Sequence, residues 1–496
     1  MDEVSKVSET LTLKREAVTT IRGVFQSFSY VGPAADVAIL LLGTVAFALI
    51  ATPLSIIVAW LIYGLWMITP YEFSKFKTNA GSYYSYSAAA TKNGALGPLA
   101  LISWMGENFS GQSFGILGLA GFIFAISSYI SRIPYLWIGF AIIITVYMFI
   151  LPYLGIKLST EYMAITGIME LLVLLVGAII IIVRLGSSNS FVPFELPSGG
   201  AIGSFFFGVV FSIVDFTGLG TVTTLSEEIK DSKKRVKRAL VIAWILAGIA
   251  LIPASYALVM GWTTSIGPIS SYATSPDPGL IVFLRYLGPV GFILLIIFTI
   301  NSYFSYGVSK TNAVSRIWYS AARDKIVYPK FISKLHPKHQ VPANAMMLWL
   351  GISFVLDLIL GLIYGPVNAG LILLTMAGIA IISVHIVANT GLTLFSHGTL
   401  RKEGKSSILL HYVAPTVASI LGFIVIYFTL TSEISAFYSS PTSLNLAYLF
   451  IVIFSILWVV IGGLSVMAYY LIRKPKILSN AGKFDLDELG GNVNEK

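Results

Sequence analysis

Cysteine is absent from this 496-residue chain, histidine occurs five times, and Asp, Glu, Lys and Arg together supply only 11% of the residues. Zero cysteines exclude disulfides, thiolate nucleophiles and cysteine-held metal. Five scattered histidines offer neither a ligand cluster nor a nucleophile beside a base, so membrane-enzyme chemistry has no constellation to rest on, and no cofactor or metal site is expected. His385 reads as a core histidine, and His336 and His339 in "HPKHQ" lack partners of catalytic type. Little charge also leaves no room for a soluble domain. The longest stretch between apolar runs, about residues 318 to 342, is too short to bury a core.

What is present instead is apolar: 56% hydrophobic residues and a mean hydropathy of +0.84. A bilayer is the solvent for such a chain, because about 20 apolar residues cross the hydrocarbon with their backbone groups paired internally. Twelve such segments are expected, at about residues 20–48, 51–75, 98–126, 134–152, 157–183, 203–228, 236–262, 287–317, 343–364, 367–396, 408–431 and 445–472. Basic loops tend to stay cytoplasmic. With both termini inside, all of the 32 Lys and Arg except Arg132, Arg184 and Arg285 fall on that side, and shifting the count by one span scrambles the separation. The net charge of +9 then follows from topology, with anionic lipid as a contact and no nucleic acid required. Residues 1–19 are polar and lack the apolar core of a secretory signal. They and residues 473–496 are expected as cytoplasmic tails of a multi-pass protein of the cell membrane.

Two of the segments carry breakers at mid-depth, where unpaired backbone groups cost several kcal/mol unless protein, water or ligand meets them. Span 1 reads "SFSYVGPAADVA", with Gly32 and Pro33 near its midpoint; span 6 reads "FSIVDFTGLGTVTTL", with Asp215 to Gly220 in its middle. These positions correspond if the chain holds two five-span halves, 20–184 and 203–396, with residues 408–472 added as spans 11 and 12. An odd number of spans per half inverts the second half. Paired interruptions in an inverted repeat point to a transporter's central site.

Three further stretches carry a family resemblance: "NAGSYYSYSAA" (Asn79–Ala89), "DFTGLGTVTTLSEEIKDSKKRVKRAL" (Asp215–Leu240) and "SRIWYSAARDKIVYPKFISKLHPKHQVPANA" (Ser315–Ala345). In order and placement they resemble the blocks of the amino acid-polyamine-organocation (APC) superfamily of permeases, over spans 1 to 10. The resemblance implies an all-α membrane fold of twelve helices, the LeuT-like inverted five-helix repeat with helices 1 and 6 broken, and a substrate held between the breaks. There are departures. Gly220 stands where many members carry a gating glutamate, Tyr30-Val31-Gly32-Pro33 replaces a "G-x-G", and Asp215 stands where a small or neutral residue is usual.

Helix ends give this implied site its chemistry, since free amides at a helix start attract a carboxylate and free carbonyls at a helix end attract an ammonium. An α-amino acid fits both. The amides around Val31, Gly32, Pro33 and Ala34 are expected to take its carboxylate, and the carbonyls around Ser29 and Tyr30 and around Asp215, Phe216 and Thr217, next to Gly218, its amine. Carboxylates inside spans are costly and often functional, which singles out Asp36, Glu107, Glu170, Asp215 and Asp357. Glu107 is expected at the substrate. Asp215 either adds negative charge beside the amine or caps the inner half-helix. Glu170, aligned through Gly155-Ile156-Lys157, stands where some proton-coupled members of the family carry a lysine in place of a sodium ion, and is expected to titrate. Asn301, Ser302 and Ser305 offer hard oxygens to sodium as the alternative ion, or serve as interhelical glue. The expected function is secondary active, alternating-access permeation of amino acids with proton symport. A polyamine or cationic amino acid exchanger is the alternative, and a transporter-like channel or receptor the rival from another class.

Overall fold

The computed structural model describes residues 12–126, 132–133, 135–199 and 201–485. The outer parts of both expected tails therefore lie outside the described residues. Among them every regular element is helical, and one isolated parallel bridge joins Val18 to Ile229.

Nine helices among the described residues are long and apolar enough to cross a membrane by length and composition. Three expected spans, the first, the third and the sixth, are not among them, and the first and the sixth are interrupted. In the first, Thr19 caps the start of α1 (Thr20–Val31) by accepting the Arg22 N–H, and the helix stops at Gly32, whose φ of 75° is left-handed. Pro33 restarts it through the short turn Pro33–Ala35, a wide turn Asp36–Leu40, and α2 (Leu41–Ala48). Proline suits a helix start, where its missing N–H would have had no partner. In the sixth, α3 (Ala201–Val214) ends, residues 215–220 turn, and a tighter eight-residue helix with three residues per turn takes over from Thr221 to Glu228.

The helices that wall these two segments are α4 (Thr52–Phe73), α5 (Leu96–Ser113, continuing through a wide turn Phe114–Gly118), α6 (Ile156–Leu185), α7 (Pro278–Arg323), α8 (Ala343–Tyr364) and α9 (Pro366–Phe395). The expected span 287–317 is longer than its apolar run suggested. It forms one 46-residue helix turned at Gly288, where φ is 69°, and hydrophilic residues continue it past the apolar stretch. A short helix Tyr83–Ala89 also lies in the stretch expected to be a connection. The packing is inverted relative to a soluble protein. Val183, Val290, Ile143 and Ile363 face outward, while Asp36, Glu107, Glu170, Asp357, Lys310 and Arg316 are buried.

The face that carries the basic residues is tied by ion pairs. Arg316 on α7 grips Glu228 through two hydrogen bonds, Nε to Oε2 at 2.5 Å and Nη2 to Oε1 at 2.9 Å, with both side chains fully buried. Arg323 does the same to Glu227, which also accepts the Ala80 N–H at 2.8 Å. The C-terminal stretch lies on this network: Phe484 stacks on the Arg323 guanidinium at 3.5 Å, and the Gly482 N–H donates to Asp324 at 2.8 Å. Burial pushes the Asp324 carboxyl above its ordinary range, while that amide and Arg323 pull it back.

Two substitutions test this frame. At Gly218, with φ of 100°, an added Cβ would lie 1.9 Å from the Tyr30 ring and 2.7 Å from the Tyr30 Cβ, so the obstacle is the root of a side chain rather than its tip. Gly218→Ala is expected to destabilise the protein by about 3 kcal/mol or more, strain and overpacking together, read as a lowered thermal midpoint. Glu228→Gln leaves the Arg316 charge buried and uncompensated. Its cost is expected at about 3 to 5 kcal/mol, and a melting curve superimposable on that of the parent would contradict the assignment.

Candidate functional site

The two interruptions meet at one place. The Tyr30 ring at the end of α1 packs against Gly218 in the turn of the sixth segment. Ser27 on α1 accepts the Val222 N–H at 3.0 Å, and Tyr63 on α4 accepts the Gly218 N–H at 3.1 Å. These are protein partners for backbone groups that a broken helix would otherwise strand.

A small cavity of about 30 Å³ opens beside this junction, lined by Tyr30, Val31 and Asp36 of the first segment, Val214 and Thr217 of the sixth, Glu107 and Phe114 of the third, Tyr306 of α7, and Leu374, Ala377 and Gly378 of α9. It has room for a water or two rather than for an amino acid or a diamine. Its walls are apolar and aromatic, and its charged atoms are carboxylates. Both oxygens of Asp36 are buried without a hydrogen-bond partner. Glu107 is held: its Oε1 accepts from the Tyr30 hydroxyl at 2.8 Å and from Lys310 Nζ at 2.5 Å.

Glu170 lies one layer behind. Its Oε1 accepts the Ala34 N–H at 2.8 Å and the Ser302 hydroxyl at 2.8 Å, and its Oε2 is buried without a partner. The carboxylate thus caps the start of the outer half-helix. This alters the expectation that the amides from Val31 to Ala34 await a substrate carboxylate. Pro33 has no N–H, Ala34 is bonded to Glu170, and the Ala35 N–H turns back to the Gly32 carbonyl at 3.0 Å. The first amides after the break are already satisfied.

Of the two readings of Asp215, charge beside the amine or cap of the inner half-helix, the hydrogen bonds do not include the cap. The Phe216 and Thr217 N–H groups donate to the Ile213 and Val214 carbonyls and the Gly218 N–H to Tyr63, while Asp215 Oδ2 is buried and unpartnered. Asp36 lies near enough to Asp215 and Glu170 for their charges to interact. No salt bridge among the described residues reaches any of the three. Carboxylates in such proximity call for a proton or a bound cation.

The other expected residues divide. Tyr30, Val31, Glu107 and Thr217 line the cavity, Gly32, Pro33, Ala34 and Gly218 belong to the two interruptions and do not line it, and Phe216 packs near Tyr63. Ser29 Oγ is buried without a hydrogen-bond partner. Asn301, Ser302 and Ser305 do not converge on one point: Asn301 accepts from Tyr162, Ser302 donates to Glu170, and Ser305 donates back to the Ser302 carbonyl. That is glue more than a cation cage. His385 sits as a core residue among Trp66, Tyr63 and Tyr83. The missing gating glutamate at Gly220 has a steric counterpart, since a Cβ there would lie 2.5 Å from the Tyr83 hydroxyl. Sequence reasoning passed over Lys310, Tyr306 and Phe114. The signal was available for Lys310, a cation inside an apolar span.

Comparison with known proteins agrees with this architecture. Part of the chain is similar to the low-affinity putrescine importer PlaP of Escherichia coli (strain K12), 27% identical over 142 residues that make up 28% of this chain and 30% of the importer. Among solved structures, a manganese transporter of Eremococcus coleocola in complex with an aromatic bis-isothiourea compound superimposes with a TM-score of 0.56 at 12% identity, covering 92% of this chain and 95% of that one. MhsT in complex with L-phenylalanine gives 0.50 at 15% identity, covering 84% and 99%. At such identities the structures establish a shared transporter fold. Residues 24–479 match the model of the amino acid permease family, and the chain belongs to that family of secondary transporters.

Proposed function

We propose that the protein carries an organic amine across the membrane by alternating access at the cavity between its two interrupted segments, and that the substrate is an aliphatic diamine or polyamine ahead of an amino acid. One contrast supports this reading: the amide that could receive a substrate carboxylate is taken by Glu170, while the Asp36 carboxylate stands unpartnered at the cavity. An ammonium group finds a counter-ion there; a carboxylate finds Asp36 and Glu107. Similarity to a putrescine importer over about a quarter of the chain points the same way. The amino acid reading retains the support of the family description and of Glu107 and Thr217 at the cavity wall.

Proton symport is the coupling we infer, with Glu170 as the titrating group. Its Oε2 is free to take a proton while Oε1 keeps both of its hydrogen bonds. Sodium is the weaker reading because the three oxygen-bearing residues of α7 are spent on separate partners. With both termini cytoplasmic, the tied basic face closes the path from inside.

Uptake by purified protein in liposomes decides the substrate. Labelled putrescine is expected to enter saturably and to be competed by other diamines, while leucine is not; saturable leucine uptake without putrescine uptake would reverse the assignment, and ohmic current would indicate a channel. Asp36→Asn removes the charge and keeps the shape. It is expected to weaken putrescine binding by about 1.5 to 3 kcal/mol, the usual worth of a hydrogen bond to a charged group, measured by titration calorimetry. Glu170→Gln is expected to keep substrate binding yet lose accumulation driven by an imposed proton gradient. Gradient-driven uptake equal to that of the parent protein would remove Glu170 from the coupling step.

A further inference from the structure

Lys310 is a fully buried cation on α7, and its position has no structural necessity in the basic face, which Arg316 and Arg323 already tie. Ser302, Tyr306 and Lys310 recur every fourth residue, so one stripe of the helix faces the site. Ser302 meets Glu170, Tyr306 lines the cavity, and Lys310 Nζ sits 2.5 Å from Glu107 Oε1 and 3.2 Å from the Glu107 carbonyl oxygen. Glu107 therefore stands between the cavity on one side and a protein ammonium on the other. The space for that ammonium is made by Gly111, where an added Cβ would lie 2.0 Å from Nζ. Beyond it is a second buried carboxylate, Asp357 on α8. One oxygen of Asp357 accepts from Ser113 and the other has no partner, and Asp357 and Lys310 are close enough for their charges to interact.

Resting on the reading that the substrate is an amine, we propose that Lys310 is a tethered stand-in for the substrate's ammonium group: it neutralises Glu107 while the cavity is empty and yields Glu107 to the entering amine by moving toward Asp357. A charged carboxylate left uncompensated in a low-dielectric interior is costly, and a resident ammonium offsets that cost for Glu107. With Lys310 in place, the empty carrier keeps Glu107 compensated and can reorient; with substrate bound, the arriving charge replaces the resident one, and Asp357 receives the displaced charge. No bond is made or broken, and the net charge of the layer rises by that of the substrate alone.

The replacement makes affinity depend on competition, because the apparent dissociation constant is the intrinsic one divided by the fraction of time Glu107 is free of Lys310. Lys310→Met, which keeps the length and removes the charge, is thus expected to bind putrescine about tenfold tighter or more, while net uptake into empty liposomes slows relative to exchange into putrescine-loaded ones. A merely structural ion pair predicts the reverse: weaker or equal binding, with net uptake and exchange falling together, and either result overturns the proposal. Should Lys310→Met fail to fold, Gly111→Ala places a methyl group where Nζ sits while keeping both charges, and the same two readouts apply to it. Asp357→Asn is expected to weaken putrescine binding, since the displaced ammonium loses its second station; unchanged binding in that variant also counts against the relay. If the unsubstituted protein binds neither putrescine nor lysine, the amine reading falls and the relay with it. Binding by the unsubstituted protein with no tightening in Lys310→Met removes the relay alone.

Discussion

A helix interrupted in the middle of a bilayer exposes amides and carbonyls that lipid cannot satisfy, and this requirement organises the structure. The partners come from everywhere around the two interruptions. Glu170 and Ser302 close on Ala34, Tyr63 takes the Gly218 amide, Ser27 takes the Val222 amide, and the Thr299 hydroxyl donates to the Ala34 carbonyl at 3.3 Å. Three helices and both interrupted segments are thus bound into one junction by polar contacts, in a region where apolar packing gives little preference for one arrangement of helices over another. Glycine at 218 is what lets the two interruptions touch, through the Tyr30 ring.

The same requirement sets the polarity of the site. Once the amides at the start of the outer half-helix are occupied by a side chain of the protein, the positive end of that helix is neutralised from behind, and the cavity is left with carboxylates in front. Asp36, Asp215 and Glu170 have no basic partner among the described salt bridges, whereas Glu107 has Lys310. Under the proposed amine reading, charge selectivity arises from which backbone groups are pre-empted as much as from which side chains line the wall.

Much of this was legible in the sequence, and the boundary of legibility has a physical cause. Gly32-Pro33 and the glycines after Asp215 announced the interruptions because backbone conformation is a local property, and Glu107 and Glu170 stood out because a carboxylate inside an apolar run is anomalous by itself. Pairings were not legible. Ala34 and Glu170 are 136 positions apart, Glu107 and Lys310 are 203 apart, and the Glu170 cap reversed the reading of the Ala34 amide from a substrate contact to a structural one. Lys310 was grouped with the basic loops because it lies toward the same end of its span as Arg316 and Arg323. Asp215 was read either as a charge beside the amine or as a cap of the inner half-helix, and the tight eight-residue helix from Thr221 closes its own amides on Gly218 and Gly220.

The two oxygens of Glu170 are divided between different tasks. Oε1 accepts from both Ala34 and Ser302, and proline at 33 ensures that no third donor from the helix start asks for Oε2. A proton arriving on Oε2 would leave both of those bonds in place, so the geometry of the outer half-helix is indifferent to whether the carboxyl is charged. What changes on protonation is the field felt by Asp36, which separates the architecture of the junction from its electrical state.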